Sequence, residues 1–220
     1  KTSIEELSGW IDYPIFLSER STLLTGIYAS QLKLRLYPNA EQSNLQSMGI
    51  KLGLHYSFSE EQSISMILRP KLAGATGHLD KNALQLGVVA LYTDTHSKGW
   101  KYRTGLYLNT ECYGLLVVPL FGVYYQNDNR SFELDATLPV HADMNYTLSN
   151  KMVLGLNFDG LGITYNHELP DDNREVYVSK ISNELFAYFR IPLGKSLFLR
   201  SKIGYSFFRK FEVYDKDDKV

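Results

Sequence analysis

His141 and Asp143 stand two residues apart, and Glu133 and Asp135 repeat that spacing eight residues earlier. In an extended strand, residues two apart share a face, so these four side chains would line one side of one strand. An imidazole beside a carboxylate is the start of a general acid–base pair or of a metal site. Either use needs a third partner, for which His55 and Asp159 are the candidates, and no motif fixes such a set. A hydrolase built on His141 is one reading. The plainer one, and the expectation adopted, is a polar wall whose charges satisfy one another, with no enzyme activity and no resident metal or cofactor.

Other chemistry-bearing residues lead less far. The segment from His167 to Asn173, HELPDDN, offers Glu168, Asp171 and Asp172 as calcium ligands, but its composition is that of a solvated loop. Gly160 and Gly162 have no strand–loop–helix context and do not form a phosphate loop. The single cysteine, Cys112, excludes an internal disulfide framework and a cysteine-rich metal site. Lysine and arginine number 23 against 24 aspartate and glutamate, a balance that gives no electrostatic case for nucleic acid.

The elements that must position these residues read as strands throughout. Ser131 to Leu148 alternates most strictly, with Phe132, Leu134, Ala136, Leu138, Val140, Ala142, Met144, Tyr146 and Leu148 opposite polar residues, Pro139 being the exception. Taken as one strand it would reach about 60 Å at about 3.3 Å per residue, more than the ~30 Å of a bilayer's hydrocarbon core. Similar alternation recurs from Leu7 to Phe207 in about eleven segments, with short turns alternating with longer loops. Gly114 to Gln126 is apolar on both faces. The phase slips near Gly160 and Gly162, which predicts a β-bulge there.

No run of 18 apolar residues exists, so no transmembrane helix is encoded. A mean hydropathy of -0.21 is compatible with barrel strands, which hide a polar face inside the lumen. Full charges recur on the polar faces: Lys33, Arg35, Lys51, Arg69, Lys71, Lys101, Arg103, Glu133, Asp135, Asp143, Asp159, Glu184, Arg190, Arg200 and Lys202. These are expected to face the lumen, basic walls from the first half meeting acidic walls from the second. Leu134, Leu138, Val140, Met144, Leu197, Leu199, Ile203 and Phe207 are expected to face lipid. Tyrosine and tryptophan near strand ends (Trp10, Tyr13, Tyr37, Tyr56, Tyr92, Trp100, Tyr146 and Tyr165) suit interfacial girdles.

Two stretches, GYSFFRKFEVYDKDDKV (Gly204 to Val220) and LPVHADMNYTLSNK (Leu138 to Lys151), resemble an uncharacterised family of outer-membrane β-barrels from Bacteroidota-type bacteria. The resemblance implies a fold and a location but no activity, and it implies a further strand after the Asp-Asp-Lys run. The expectation is therefore an all-β, antiparallel up-and-down transmembrane β-barrel of about twelve strands, one domain over 1–220, with an N-terminal signal and a closing strand outside the chain. Outer-membrane lipids, other outer-membrane proteins and lipoproteins are the expected partners. The expected role is a structural subunit of a larger assembly, with a small passive pore for polar solutes as the alternative.

Overall fold

Short polar turns set the strands. Leu17 N–H donates to the Ser21 carbonyl at 2.9 Å and Phe58 N–H to the Gln62 carbonyl at 2.9 Å, closing two tight hairpins. In the computed structural model, residues 3–35, 42–77, 79–97, 99–148, 151–168, 175–194 and 197–215 are described. The strands are β1 (Ser3–Phe16), β2 (Ser21–Arg35), β3 (Ser43–Ser57), β4 (Gln62–Ala75), β5 (Leu84–Ser97), β6 (Trp100–Glu111), β7 (Gly114–Gln126), β8 (Phe132–Leu138), β9 (His141–Thr147), β10 (Val153–Glu168), β11 (Glu175–Pro192) and β12 (Phe198–Asp215). They form one twelve-stranded sheet in sequence order, each strand antiparallel to the next.

Three expectations are corrected. The stretch from Ser131 to Leu148 is not one strand but the β8–β9 hairpin, turned at Pro139 and Val140. Proline offers no N–H to a ladder, and the Val140 N–H bonds back to the Thr137 carbonyl at 3.0 Å. Thr137 faces His141 and Ala136 faces Ala142. Odd residues thus pair with odd and even with even, so the alternation runs through the turn undisturbed. The extra turn brings the visible count to twelve strands, where about eleven were expected. Nor does β10 bulge at Gly160 and Gly162, because its register with β11 is continuous from Val153 to Glu168. The irregularity falls one strand over, between β11 and β12 at Ile181/Asn183.

The sheet curls until β10 meets β4, where Asn166 pairs in parallel with Gly74. That contact closes the sheet into a ring through β4 to β10, with β1 to β3 and β11 to β12 continuing from it. The odd face of β10 there packs Tyr165 against Leu32, Leu34, Leu45, Ala73 and Val178. Ile4 and Phe211, from the first and last strands, pack against the same cluster. The even face of β10 buries Thr164 and Asn166 as well. Apolar residues at odd positions of β10 are thus explained by an inner core rather than by a bulge.

Candidate functional site

Cross-strand register sorts every strand into an inner and an outer face. Lys51, Gly53 and His55 of β3 stand opposite Gly26, Leu24 and Thr22 of β2, and their neighbours Ile50, Leu52 and Leu54 point outward and are exposed. The same outward series continues as Met66 and Leu68 on β4, Leu84 and Leu86 on β5, Tyr102 and Leu106 on β6, Val117 and Phe121 on β7, and Leu154 and Leu156 on β10. On β3 the belt runs from Met48 to Phe58, about 33 Å of strand at about 3.3 Å per residue. Tilted by about 40°, it would stand about 25 Å tall, the height of a barrel's lipid-facing band. Water would not favour this much contiguous exposed apolar surface on a monomer.

Aromatic rings gather at the end of the belt that carries the β1–β2, β3–β4, β5–β6 and β7–β8 turns, the short-turn end below. Trp100 lies 4.3 Å from Tyr125, Tyr125 lies 6.1 Å from Phe132, and Tyr56 meets Phe58 edge-on at 5.3 Å. Leu134, Leu138, Val140, Met144, Leu197, Leu199 and Ile203 point outward on β8, β9 and β12 or their turns, and Leu138, Val140, Met144, Leu197, Leu199 and Ile203 are exposed. Phe207 is half-buried, its ring 6.4 Å from Phe158.

The inner face is polar and paired. Asp12 reaches across Gly26 to Lys51 at 2.8 Å. A Cβ on Gly26 would come 2.2 Å from the Asp12 carboxylate, so only glycine leaves the path open. Arg103 bonds Asp135 at 2.5 Å, and Arg200 bonds Asp143 at 3.0 Å while lying 3.7 Å above the Tyr188 ring. Asp143 also accepts from the Tyr188 hydroxyl at 2.7 Å. Glu184 accepts from Arg209 at 3.2 Å, and Lys202 donates to Asn157 at 3.2 Å. Glu133 sits between Gln126 and Asn145 in the ladder. Arg69 stacks over Tyr28, Lys101 over Tyr124, and Arg190 over Phe198. Where these charges pair they do so within a few strands of one another, and Arg69, Lys101 and Arg190 rest on aromatic rings.

Deepest of these is a network that the alternation alone did not single out. Lys71 and Glu111 form an ion pair at 3.3 Å with side chains 9% and 2% exposed. Glu111 also accepts from Asn109, and from the Thr164 N–H at 3.1 Å and hydroxyl at 2.5 Å. Gln85 donates to the Thr164 carbonyl at 2.9 Å and Cys112 N–H to its hydroxyl at 3.1 Å. Thr164 is thus the point at which β10 is tied into the ring. Cys112 lies beyond the apolar belt in the β6–β7 turn, and burial raises its thiol above the usual cysteine range.

Lys33 and Arg35 are a correction. On β2 the inner positions are Leu32 and Leu34, buried in the core, and Lys33 lies on the other face, 3.8 Å from Glu5 of β1. Arg35 shares the parity of Lys33. Around Leu32 and Leu34 the interior is the apolar cluster that holds Tyr165, so Lys33 and Arg35 take the other face beyond the belt.

His141 and Asp159 do come together, Nδ1 to Oδ1 at 2.8 Å. His55 is elsewhere, bonded to Ser65 at 2.9 Å on β3 and β4. Among the described residues no serine or cysteine hydrogen-bonds His141, so the dyad has no nucleophile at bonding distance, and no group of three or more metal-ligating side chains gathers. Glu168 ends β10, while Asp171 and Asp172 lie outside the described residues.

At the short-turn end the interior opens into a polar vestibule of about 360 Å³, lined by His55, Ser65, Thr93, Lys101 and Arg103 among others. At the other end the core around Tyr165 and the Glu111 network fill the space. No helix among the described residues is long and apolar enough to cross a membrane, which says nothing about strands.

These features define a class: an all-β protein whose single antiparallel sheet closes on itself around a charge-paired interior. The chain belongs to a family described as a domain of unknown function, DUF6268, whose model matches residues 19–219. No curated protein and no solved structure matches it.

Proposed function

We propose that this protein is a non-catalytic, membrane-spanning β-barrel of a bacterial outer membrane that serves as a structural subunit of a larger outer-membrane assembly. One observation carries the membrane placement: the outer faces form a continuous exposed apolar belt of bilayer height, while the charges turn inward and pair. A soluble sheet would bury that belt. A structural role is favoured over transport because the interior is filled at one end by the Tyr165 core and the Lys71–Glu111–Thr164 network.

The vestibule supports a second reading, a small pore for polar solutes, since Lys101 and Arg103 line its inner wall. Planar-bilayer recording separates the two. A structural subunit gives negligible current in both the wild type and the Arg69→Ala/Arg103→Ala variant. A pore gives discrete current that rises in the variant. The assembly is tested by native mass after gentle extraction in mild detergent. A particle of one chain plus micelle would overturn it, and a larger particle of defined composition supports it.

A further inference from the structure

The first and last strands of the sheet are not hydrogen-bonded to each other. Each therefore presents one row of backbone N–H and C=O groups that no neighbouring strand of the sheet takes up, over residues 3–16 and 198–214. In water such a row is solvated; in hydrocarbon it has no partner, so open sheet edges do not persist there. The two strands run antiparallel and are already joined at one end. Ile4 of β1 and Phe211 of β12 pack against the same core, and Glu6 of β1 bonds Lys180 of β11 at 2.5 Å. Towards the short-turn end their side chains are bare: Trp10, Tyr13 and Phe16 on one edge, Ile203, Tyr205 and Phe208 on the other, all more than two-thirds exposed.

We infer that these two edges are each other's partner, and that β1 zips onto β12 in the membrane in one specific register. The inference rests on the membrane reading above. Lys180 stands opposite Phe211 in the β11–β12 ladder, so the Glu6–Lys180 pair spans the strand that carries Phe211. The same skip-one-strand geometry occurs at Asp12–Gly26–Lys51, where all three residues share a row. Glu6 therefore belongs opposite Phe211, and Ser8 opposite Arg209.

Going on, β12 has its irregularity, with Phe208 at a φ of 50°. An extra residue there places Gly9 against both Phe207 and Phe208, the two-against-one count of a bulge. A Cβ on Gly9 would meet nothing within 4 Å, so this edge offers room. Beyond it Trp10 falls opposite Ser206, Asp12 opposite Gly204 and Pro14 opposite Lys202, all on inner faces. Ile11 falls opposite Tyr205 and Tyr13 opposite Ile203, all on the outer apolar belt. A register shifted by one residue would set belt residues against inner ones along the whole seam.

The test uses the full chain with Cys112→Ser, integrated into phospholipid vesicles. Tyr13→Cys is combined with Ile203→Cys in one variant and with Leu199→Cys, out of register, in a second. Copper–phenanthroline with dissolved oxygen takes two electrons from the thiol pair and the protons pass to water, leaving the disulfide. Directly opposite strand positions lie within disulfide reach, while positions four residues away do not. The expected result is an intramolecular cross-link several-fold more abundant in the Tyr13/Ile203 pair than in the Tyr13/Leu199 pair. An integrated protein that cross-links between chains, or equally in both pairs, or in neither, overturns the register while leaving the membrane reading intact. A protein that does not integrate into the vesicles overturns the reading on which the seam depends.

Discussion

Glu111→Ala should be the most damaging single change in the interior. Its carboxylate faces Lys71 at 3.3 Å and holds both the N–H and the hydroxyl of Thr164, with both charged side chains nearly fully buried. Removing it leaves a buried ammonium without its counter-ion, a loss of about 3–5 kcal/mol. The orphaned Thr164 N–H adds about 1–3 kcal/mol. Because the two share one carboxylate they do not sum fully, and about 4–6 kcal/mol is expected. The double variant Lys71→Met/Glu111→Leu, which removes both charges, should recover the larger part of that loss. The assay is urea unfolding of vesicle-embedded protein followed by tryptophan fluorescence. A loss below about 1 kcal/mol for Glu111→Ala would refute the reasoning, since it would mean that water reaches the pair or that β10 is not tied there.

Leu52→Arg, in mid-belt on β3, should cost about 2–4 kcal/mol in vesicles, because the guanidinium would stand near the bilayer midplane. In a water-exposed sheet the same change would stay within about 0.5 kcal/mol, so urea midpoints in vesicles separate the two. Cys112 should react with maleimide at pH 8 more slowly than free cysteine, since burial raises its thiol and the thiolate is the reactive form. A rate equal to that of free cysteine would contradict its packing between Gln85 and Thr164. His141→Ala should leave no lost activity in a screen of lipid and peptide hydrolysis, and an activity abolished by that change would overturn the non-catalytic reading.

Much of the fold was legible because side-chain period and sheet register carry the same information. From β3 to β6 the alternation puts Ile50, Leu52 and Leu54 on one face and Lys51, Arg69, Lys71, Lys101 and Arg103 on the other, and the ladders keep those two faces apart. The β8–β9 turn was illegible for the same reason. A hairpin that pairs Thr137 with His141 keeps parity, and Pro139 was the one local sign of it. Lys33 and Arg35 were misread because period two reports two unlike faces but not which one is inside. At the end of β2 the interior is itself apolar, so Leu32 and Leu34 point in. The Glu111–Thr164 tie joins β6 to β10, and Glu6–Lys180 joins β1 to β11; such long-range pairings leave no trace in local pattern.

The central claim is that the apolar belt faces lipid. Its most direct measurement is partition of the full chain between buffer and preformed phospholipid vesicles, followed by alkaline carbonate wash and flotation. A lipid-facing belt makes the protein float with the vesicles, resist the wash and keep its strand signal by circular dichroism. A protein that stays in the buffer as a folded, monodisperse species without detergent would contradict it, and the belt would then have to be an interface with other protein.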